Sequence, residues 1–103
     1  MTFLDVREWY EWEAGTVEGA IHIPIRMLTE RLEEVPKERP VVVVCQVGQR
    51  SALAAGYMNR LGYEAHNLEG GVEDWTASGL PLVTDRGDGG KIVDGWAQTP
   101  ELP

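Results

Sequence analysis

Cys45 is the only cysteine in the 103-residue chain, and residue types that favour an anion follow it directly. Gly48 permits backbone conformations that turn successive N–H groups inward, and Arg50 adds a positive charge with a rigid fork of donors. A cysteine reacts as its thiolate, which such groups stabilise. Taken alone, a lone cysteine is more often a buried apolar side chain. That role requires neither a glycine turn nor an arginine, so we predict that Cys45 is a nucleophile.

The elements around Cys45 support this prediction. The β-branched run Val41–Cys45 lacks polar alternation, which is typical of a strand covered on both faces of a parallel sheet. A helix is predicted over Ser51–Leu61, ending at Gly62. Ligands of open α/β sheets bind at the carboxyl ends of strands, where the N-termini of helices present free N–H groups. We therefore expect the pKa of the Cys45 thiol to lie below its ordinary value of about 8.5.

Strands and helices are predicted to alternate along the rest of the chain, which indicates an α/β sheet with right-handed crossovers. The further predicted strands are Thr2–Val6, Ala20–Ile23 and Glu64–Leu68, and the further predicted helices are Glu8–Glu13, Met27–Glu34 and Val72–Ser78. The tryptophans Trp9, Trp12 and Trp75 are expected to pack inward. Residues 84–103 are rich in Gly and Pro and are interpreted as a C-terminal tail, mobile or loosely docked, behind a domain at residues 1–83.

Composition excludes several function classes. The net charge of −8 disfavours nucleic acids and acidic membrane surfaces as partners. A single cysteine excludes an internal disulfide and a cysteine-based metal cluster within one chain, and no metal or cofactor is expected. The N-terminus lacks the features of a signal peptide, and no apolar run approaches the roughly 18 residues of a membrane helix. A cytoplasmic location is the expectation.

Three segments together resemble the single-domain rhodaneses, a sulfurtransferase family. They are Leu4–Glu8 with Glu18–Pro24, the loop Cys45–Ser51, and Leu68–Trp75 with Gly79–Leu82. The resemblance implies an α/β fold with a parallel sheet flanked by helices on both faces. It also implies that Cys45 takes a sulfane sulfur from a small anionic donor such as thiosulfate and passes the sulfur to an external thiol or to cyanide. The acceptor thiol can be a protein cysteine, and the persulfide is held by the loop residues Gln46, Val47, Gly48, Gln49 and Arg50.

The loop length separates two related chemistries. Rhodanese-like loops have four residues between Cys and Arg, whereas the related phosphatases have five and form a wider cradle for phosphate. Here the intervening residues are Gln46, Val47, Gly48 and Gln49, which matches the sulfurtransferase length.

Arg7 has two interpretations. It matches a family arginine that contacts the anionic substrate in some members, which makes it a candidate substrate-binding residue. It could equally form a salt bridge with Asp5 or Asp74. Asp5 is expected to be structural, because carboxylates at strand ends commonly accept from nearby backbone or arginine donors. His22 is not expected to be catalytic.

One departure from the family concerns the edge of the sheet. Family members usually begin with an additional strand and short helix, whereas only three residues precede Leu4 here. The sheet is therefore expected to lack its N-terminal edge strand. We hypothesise that Lys91-Ile92-Val93, from the same chain or a second one, docks near that vacant edge.

Two further functions stay open beside a thiosulfate sulfurtransferase. One is a protein-to-protein sulfur relay, or a module for thiol-redox sensing or regulation, without significant thiosulfate turnover. Only Arg50, with Arg7 as a second candidate, offsets the acidic background near the loop, which weakens attraction of a small dianion. The other is a phosphatase or arsenate reductase, which the loop length disfavours.

Overall fold

The computed structural model describes residues 1–96 and 99–103. The strands are β1 (Thr2–Asp5), β2 (Ile21–His22), β3 (Val41–Val44) and β4 (Ala65–Asn67). The helices are α1 (Trp9–Ala14), α2 (Leu28–Arg31), α3 (Gln49–Arg60) and α4 (Gly71–Ala77). This order confirms the predicted alternation of strands and helices. Within the described residues, no helix is long and apolar enough to cross a membrane. The cytoplasmic location stays a prediction.

The four strands form one parallel sheet in the order β2-β1-β3-β4. Strands β1 and β3 lie in the centre, with Asp5 beside Val44, so the end of β1 lies next to the residue before Cys45. Parallel strands need crossover connections, and their carboxyl ends lie at one edge. The residues that follow β1, β3 and β4 are thereby brought to the same edge.

Alternate residues of β3 enter two separate cores, one on each face of the sheet. Val41 and Val43 belong to the larger core with residues of α2 and α3, whereas Val42 and Val44 belong to the smaller core with residues of α4. Successive side chains of a strand point to opposite faces, so an apolar run without alternation is stable only when both faces are covered. The predicted helices on both faces of the sheet are confirmed.

Three local predictions differ from the structure. The helix predicted over Met27–Glu34 is the single turn α2 between two 3-10 turns, Ile25–Met27 and Leu32–Glu34. Helix α3 begins at Gln49 rather than at Ser51, because Gly48 adopts the left-handed conformation that starts it. Trp9, expected to pack inward, is 58% exposed. Trp12 instead stacks on His22, and Trp75 packs edge-to-face on Phe3, as their expected packing roles require.

The C-terminal residues contact the body of the protein. Val83 forms antiparallel bridges with Thr16 and with Gly89, and the Lys91 N–H donates to the Ala14 carbonyl. Ile92 packs against the smaller core. Within the described residues, Lys91-Ile92-Val93 forms no strand of the sheet, and the backbone N–H of Lys91 instead donates to the last residue of α1. Docking of this segment near the vacant edge from a second chain stays a hypothesis. The division of the chain at residue 83 stays a prediction, and residues 97 and 98 of the predicted tail lie outside the described residues.

Candidate functional site

The Cys45 loop connects the buried end of β3 to the start of α3. Gly48 has a φ of 103°, a conformation that L side chains rarely adopt, and it is the N-cap of the helix. A Cβ atom at this position would lie 3.2 Å from the Gly70 backbone nitrogen, so the loop also approaches the α4 turn closely. A glycine is therefore required at position 48 both for the turn and for the close approach.

Hydrogen-bond donors surround the Cys45 sulfur. Gly48 N–H lies 3.1 Å from Sγ, Ser51 N–H lies 3.4 Å away, and the Ser51 hydroxyl lies 3.3 Å away. Cys45 itself is 1% exposed. Hydrogen bonds from N–H and O–H groups stabilise a negative charge on sulfur, and they do so more strongly where water is excluded.

The pKa of the Cys45 thiol is lowered from its ordinary value. Burial acts in the opposite direction and raises the pKa, because it disfavours the charged form. Hydrogen bonds from the Ser51 hydroxyl and from the N–H groups of Ser51, Gly48 and Val47 together outweigh burial. The expected low pKa is therefore confirmed in direction, and the loop favours the nucleophilic thiolate.

Asn67 links the start of α3 to the end of β4. Its Nδ2 donates to the Gly48 carbonyl at 3.1 Å, and its Oδ1 is in hydrogen-bond contact with the Ser51 hydroxyl. A hydroxyl carries a single proton, so Ser51 donates either to Asn67 or to Cys45. The Asn67 oxygen can only accept, so it competes with the Cys45 sulfur for the same Ser51 proton. Neither side chain was assigned a role from sequence, although each is a polar residue at a strand end or helix start beside the loop.

Arg50 forms a bidentate ion pair with Glu11. Nη1 lies 2.7 Å from Glu11 Oε1 and Nη2 lies 2.8 Å from Oε2, with the side chains 14% and 0% exposed. The hydrogen bonds that Arg50 donates to Glu11 raise the pKa of Arg50, and the attraction of the Cys45 thiolate contributes in the same direction. Glu11 also accepts from the Glu8 N–H at 3.0 Å, which completes a capping box at the start of α1. Arg50 therefore lies near the thiol, but with part of its charge already compensated.

Arg7 lies in the second of its two predicted environments. Its side chain is fully buried and pairs with Asp5 at 2.7 Å, and Nη2 also donates to the Gly15 carbonyl at 2.6 Å. Asp5 accepts in addition from the Thr16 hydroxyl at 2.8 Å. Nη1 is buried without a hydrogen-bond partner among the described residues. The substrate-binding interpretation of Arg7 is therefore not supported by its burial, and the pair stabilises the end of β1.

The remaining loop residues divide into two groups. Gln49 and Val47 are exposed, and only the backbone N–H of Val47 contributes to the sulfur. Gln46 is turned toward the C-terminal region, where its Nε2 donates to Glu73 at 2.8 Å and to Asp94 at 3.0 Å. Its Oε1 accepts from the Gly95 N–H at 3.1 Å. The predicted loop therefore provides both the donors around the sulfur and a contact with residues far along the chain.

Comparison with known proteins agrees with the geometry. The model of the Rhodanese-like domain family matches residues 1–78. A sulfurtransferase of Allochromatium vinosum is 36% identical over 82% of this chain and 79% of its own length. The thiosulfate sulfurtransferase GlpE of Tolumonas auensis is 35% identical over 69% of this chain and 68% of its own length.

A solved structure agrees in the same way. The crystal structure of a rhodanese-related protein from Thermoplasma volcanium has a TM-score of 0.79 and 36% identity, over 82% of this chain and 84% of that chain.

Proposed function

The chain belongs to the rhodanese family, and we propose that it is a sulfurtransferase in which Cys45 carries a sulfane sulfur as a persulfide. The observation that supports this most directly is the set of N–H and O–H donors around Sγ. They favour a thiolate before the reaction and leave donors available for the terminal sulfur of a persulfide after it.

The reaction has two balanced steps. The Cys45 thiolate attacks the outer sulfur of a donor such as thiosulfate. A bond forms between Cys45 Sγ and that outer sulfur, and the S–S bond within the donor breaks. Sulfite leaves with that electron pair. An external thiolate or cyanide then attacks the outer sulfur of the persulfide, and Cys45 leaves as a thiolate. An external acceptor is required because the chain has no second cysteine to act as an internal resolving thiol.

The loop residues divide the work in this proposal. The N–H groups of Val47, Gly48 and Ser51 contact the Cys45 sulfur. In the proposal, the backbone N–H groups from Gln46 to Arg50 hold the outer sulfur of the persulfide, and Gly48 keeps the backbone curled. Arg50 lies beside the thiolate and attracts the anionic donor or the departing product. Val47 and Gln49 act through their backbone, because their side chains are exposed.

A second candidate is a sulfur relay that receives its sulfur from another protein. The bidentate Glu11–Arg50 pair favours this candidate, because a guanidinium that already binds a carboxylate attracts a small dianion less strongly. Both candidates use the same persulfide on Cys45 and differ in the donor and acceptor.

Intact mass measurement after treatment with thiosulfate tests the proposal. We expect a gain of one sulfur atom that disappears on addition of cyanide and is absent in Cys45→Ser. An adduct that forms with a persulfide-bearing protein but not with thiosulfate would select the relay. Absence of any adduct with both donors, in folded protein with a titratable thiol, would refute the sulfur-carrying role.

A further inference from the structure

Asp94, Gly95 and Trp96 lie against the Cys45 loop, and we call these three residues the C-terminal strap. Gln46 connects the strap to the loop, because its amide donates to Asp94 and accepts from the Gly95 N–H. The strap lies beyond residues 1–78 that match the family. Its contact with the loop is therefore a feature of this chain that the family match does not provide.

Gly95 also lies directly against the Arg50–Glu11 pair. A Cβ atom at Gly95 would be 2.7 Å from Glu11 Oε2 and 3.0 Å from Arg50 Nη2. The strap backbone therefore occupies the space next to the guanidinium, where an anionic donor would otherwise approach. A glycine permits this approach because it has no side chain to collide with the ion pair.

Tyr10 holds the other end of the strap. The backbone N–H of Trp96 donates to the Tyr10 hydroxyl at 2.7 Å. The Tyr10 and Trp96 rings stack with centroids 4.7 Å apart and an interplanar angle of 8°. Trp96 is nevertheless 78% exposed. The strap is thus fixed by a few polar contacts and one stacked face, which a larger partner can displace at modest cost.

The charge around the loop entrance is negative. Gln46 donates to the carboxylates of both Glu73 and Asp94, and Glu11 binds Arg50. Two carboxylates therefore lie against the Gln46 amide, and a third binds the Arg50 guanidinium. The pattern opposes a small dianion and is complementary to a cationic partner, in a chain whose net charge is −8.

We propose that the strap selects the sulfur donor: it disfavours small dianions such as thiosulfate and favours the persulfide of a protein cysteine flanked by basic residues. This inference rests on the proposed function of Cys45. In the favoured reaction, the Cys45 thiolate attacks the outer sulfur of the partner's persulfide. The S–S bond of that persulfide breaks, and the partner's cysteine leaves as a thiolate.

Two alkylating agents of nearly equal size test the charge effect without any sulfur transfer. Iodoacetate is an anion and iodoacetamide is neutral. In the full-length protein, Asp94→Asn should raise the rate of Cys45 alkylation by iodoacetate about threefold to tenfold, with little change for iodoacetamide. Asp85→Asn removes the same charge from the same C-terminal region without a contact to the loop and should change neither rate. Equal rates in Asp94→Asn and wild type would overturn the electrostatic part of the proposal.

The steric effect is tested by weakening the contact with Tyr10. Tyr10→Phe removes the hydroxyl that binds the Trp96 N–H and keeps the ring, and Trp96→Ala removes the stacked indole. Both should raise the alkylation rates of both agents, and Trp96→Ala should have the larger effect. Circular dichroism and thermal unfolding confirm that the variants are folded. Unchanged rates in folded Trp96→Ala protein would show that the strap does not restrict access.

Matched peptide persulfides test the preferred donor. One peptide carries lysines beside its cysteine persulfide and the other carries glutamates at the same positions. The lysine peptide should load Cys45 faster, and the ratio should fall in Asp94→Asn and at high salt. A ratio near one would overturn the donor preference. Failure of both peptides and of thiosulfate to load Cys45 would instead refute the sulfurtransferase function, while the alkylation rates would still decide whether the strap covers the loop.

Discussion

Two arginine–carboxylate pairs lie near the carboxyl edge of the sheet, and they differ chiefly in burial. Arg7 and Asp5 are both fully buried, whereas Arg50 is 14% exposed and pairs with the buried Glu11. Arg7 lies two residues after β1, and its side chain donates to Asp5 at the end of that strand and to the Gly15 carbonyl. Arg50 lies in the first turn of α3 beside the thiol. The same kind of ion pair therefore stabilises the fold at Arg7 and sets the charge beside the proposed nucleophile at Arg50.

Stabilisation of the Cys45 thiolate and attraction of a substrate depend on different groups, although Cys45 and Arg50 lie in one sequence motif. The N–H and O–H donors of the loop stabilise negative charge on Cys45, and they are supplied locally. Attraction of a substrate depends on the charges at the entrance, where Glu11 pairs with Arg50 and the carboxylates of Glu73 and Asp94 bind Gln46. A loop that favours a thiolate can therefore still discourage a small dianionic donor.

Removal of the Arg7 charge should have the largest effect of the variants considered. Arg7→Leu leaves Asp5 buried without its partner, and loss of one member of a buried pair costs about 3–5 kcal/mol of the free energy of unfolding. Denaturant unfolding followed by fluorescence measures the loss. Arg39→Leu, which removes an arginine from an exposed pair with Glu38, should cost far less. Similar losses for the two variants would contradict the structural role of Arg7.

Arg50→Ala should lower the thiosulfate kcat/KM about tenfold or more. Its loss removes the cation that attracts the Cys45 thiolate and leaves the Glu11 carboxylate uncompensated near the sulfur. Steady-state kinetics with thiosulfate and cyanide provide the measurement. Unchanged rates at subsaturating thiosulfate would show that Arg50 plays no part in donor capture.

Glu11→Gln should improve the use of thiosulfate, the opposite of the effect expected for Arg50→Ala. Glutamine keeps the shape of the side chain and can still accept from the Glu8 N–H in the capping box, but it releases the charge of Arg50. We expect the KM for thiosulfate to fall about threefold to tenfold. An increase in KM together with a folded protein would mean that the ion pair is needed to hold Arg50 in place.

Ser51→Ala should have the smallest effect of the four. It removes the hydroxyl that lowers the pKa of Cys45 but keeps the N–H donors of Ser51, Gly48 and Val47. The folded-state pKa should therefore rise, and the pH profile of iodoacetamide alkylation should move to higher pH, with a lower rate near neutral pH. Thr at this position keeps the hydroxyl and serves as the control. A profile that does not move would mean that the hydroxyl donates to Asn67 in the thiolate form.

The predicted fold follows closely from local patterns. Val41–Val44 is a β-branched run without alternation, and only a strand covered on both faces accommodates it, which is the position of β3 in the centre of the sheet. The predicted start of α3 is two residues too late. Gly48 adopts the left-handed conformation and caps the helix, so Gln49 and Arg50 already belong to its first turn. The short α2 was also missed, since apolar spacing alone does not distinguish an α-helix from successive 3-10 turns.

The candidate site was predicted in part. The loop residues are predictable from sequence because they are contiguous, and Ser51 carries a signal as a hydroxyl at the start of a helix. Glu11 offered no such signal, because its capping role at α1 accounts for its presence and gives no indication of a partner in α3. The contact of Asp94 and Gly95 with the loop could not be predicted either, since a Gly-rich region has no periodic pattern from which its position in the fold could be inferred.

The sequence alone determined that Cys45 ends a buried strand, that a glycine turn and a helix follow it, and that the loop has the length of a sulfurtransferase. Each of these is a property of neighbouring residues and the backbone they allow. The tertiary structure decided which carboxylate each arginine meets and what covers the loop. Ion pairs join residues that are distant along the chain, and 17 acidic side chains leave many pairings open until the sheet brings particular ones together. The position of the proposed nucleophile is therefore determined locally, and the charge that surrounds it is determined by the fold.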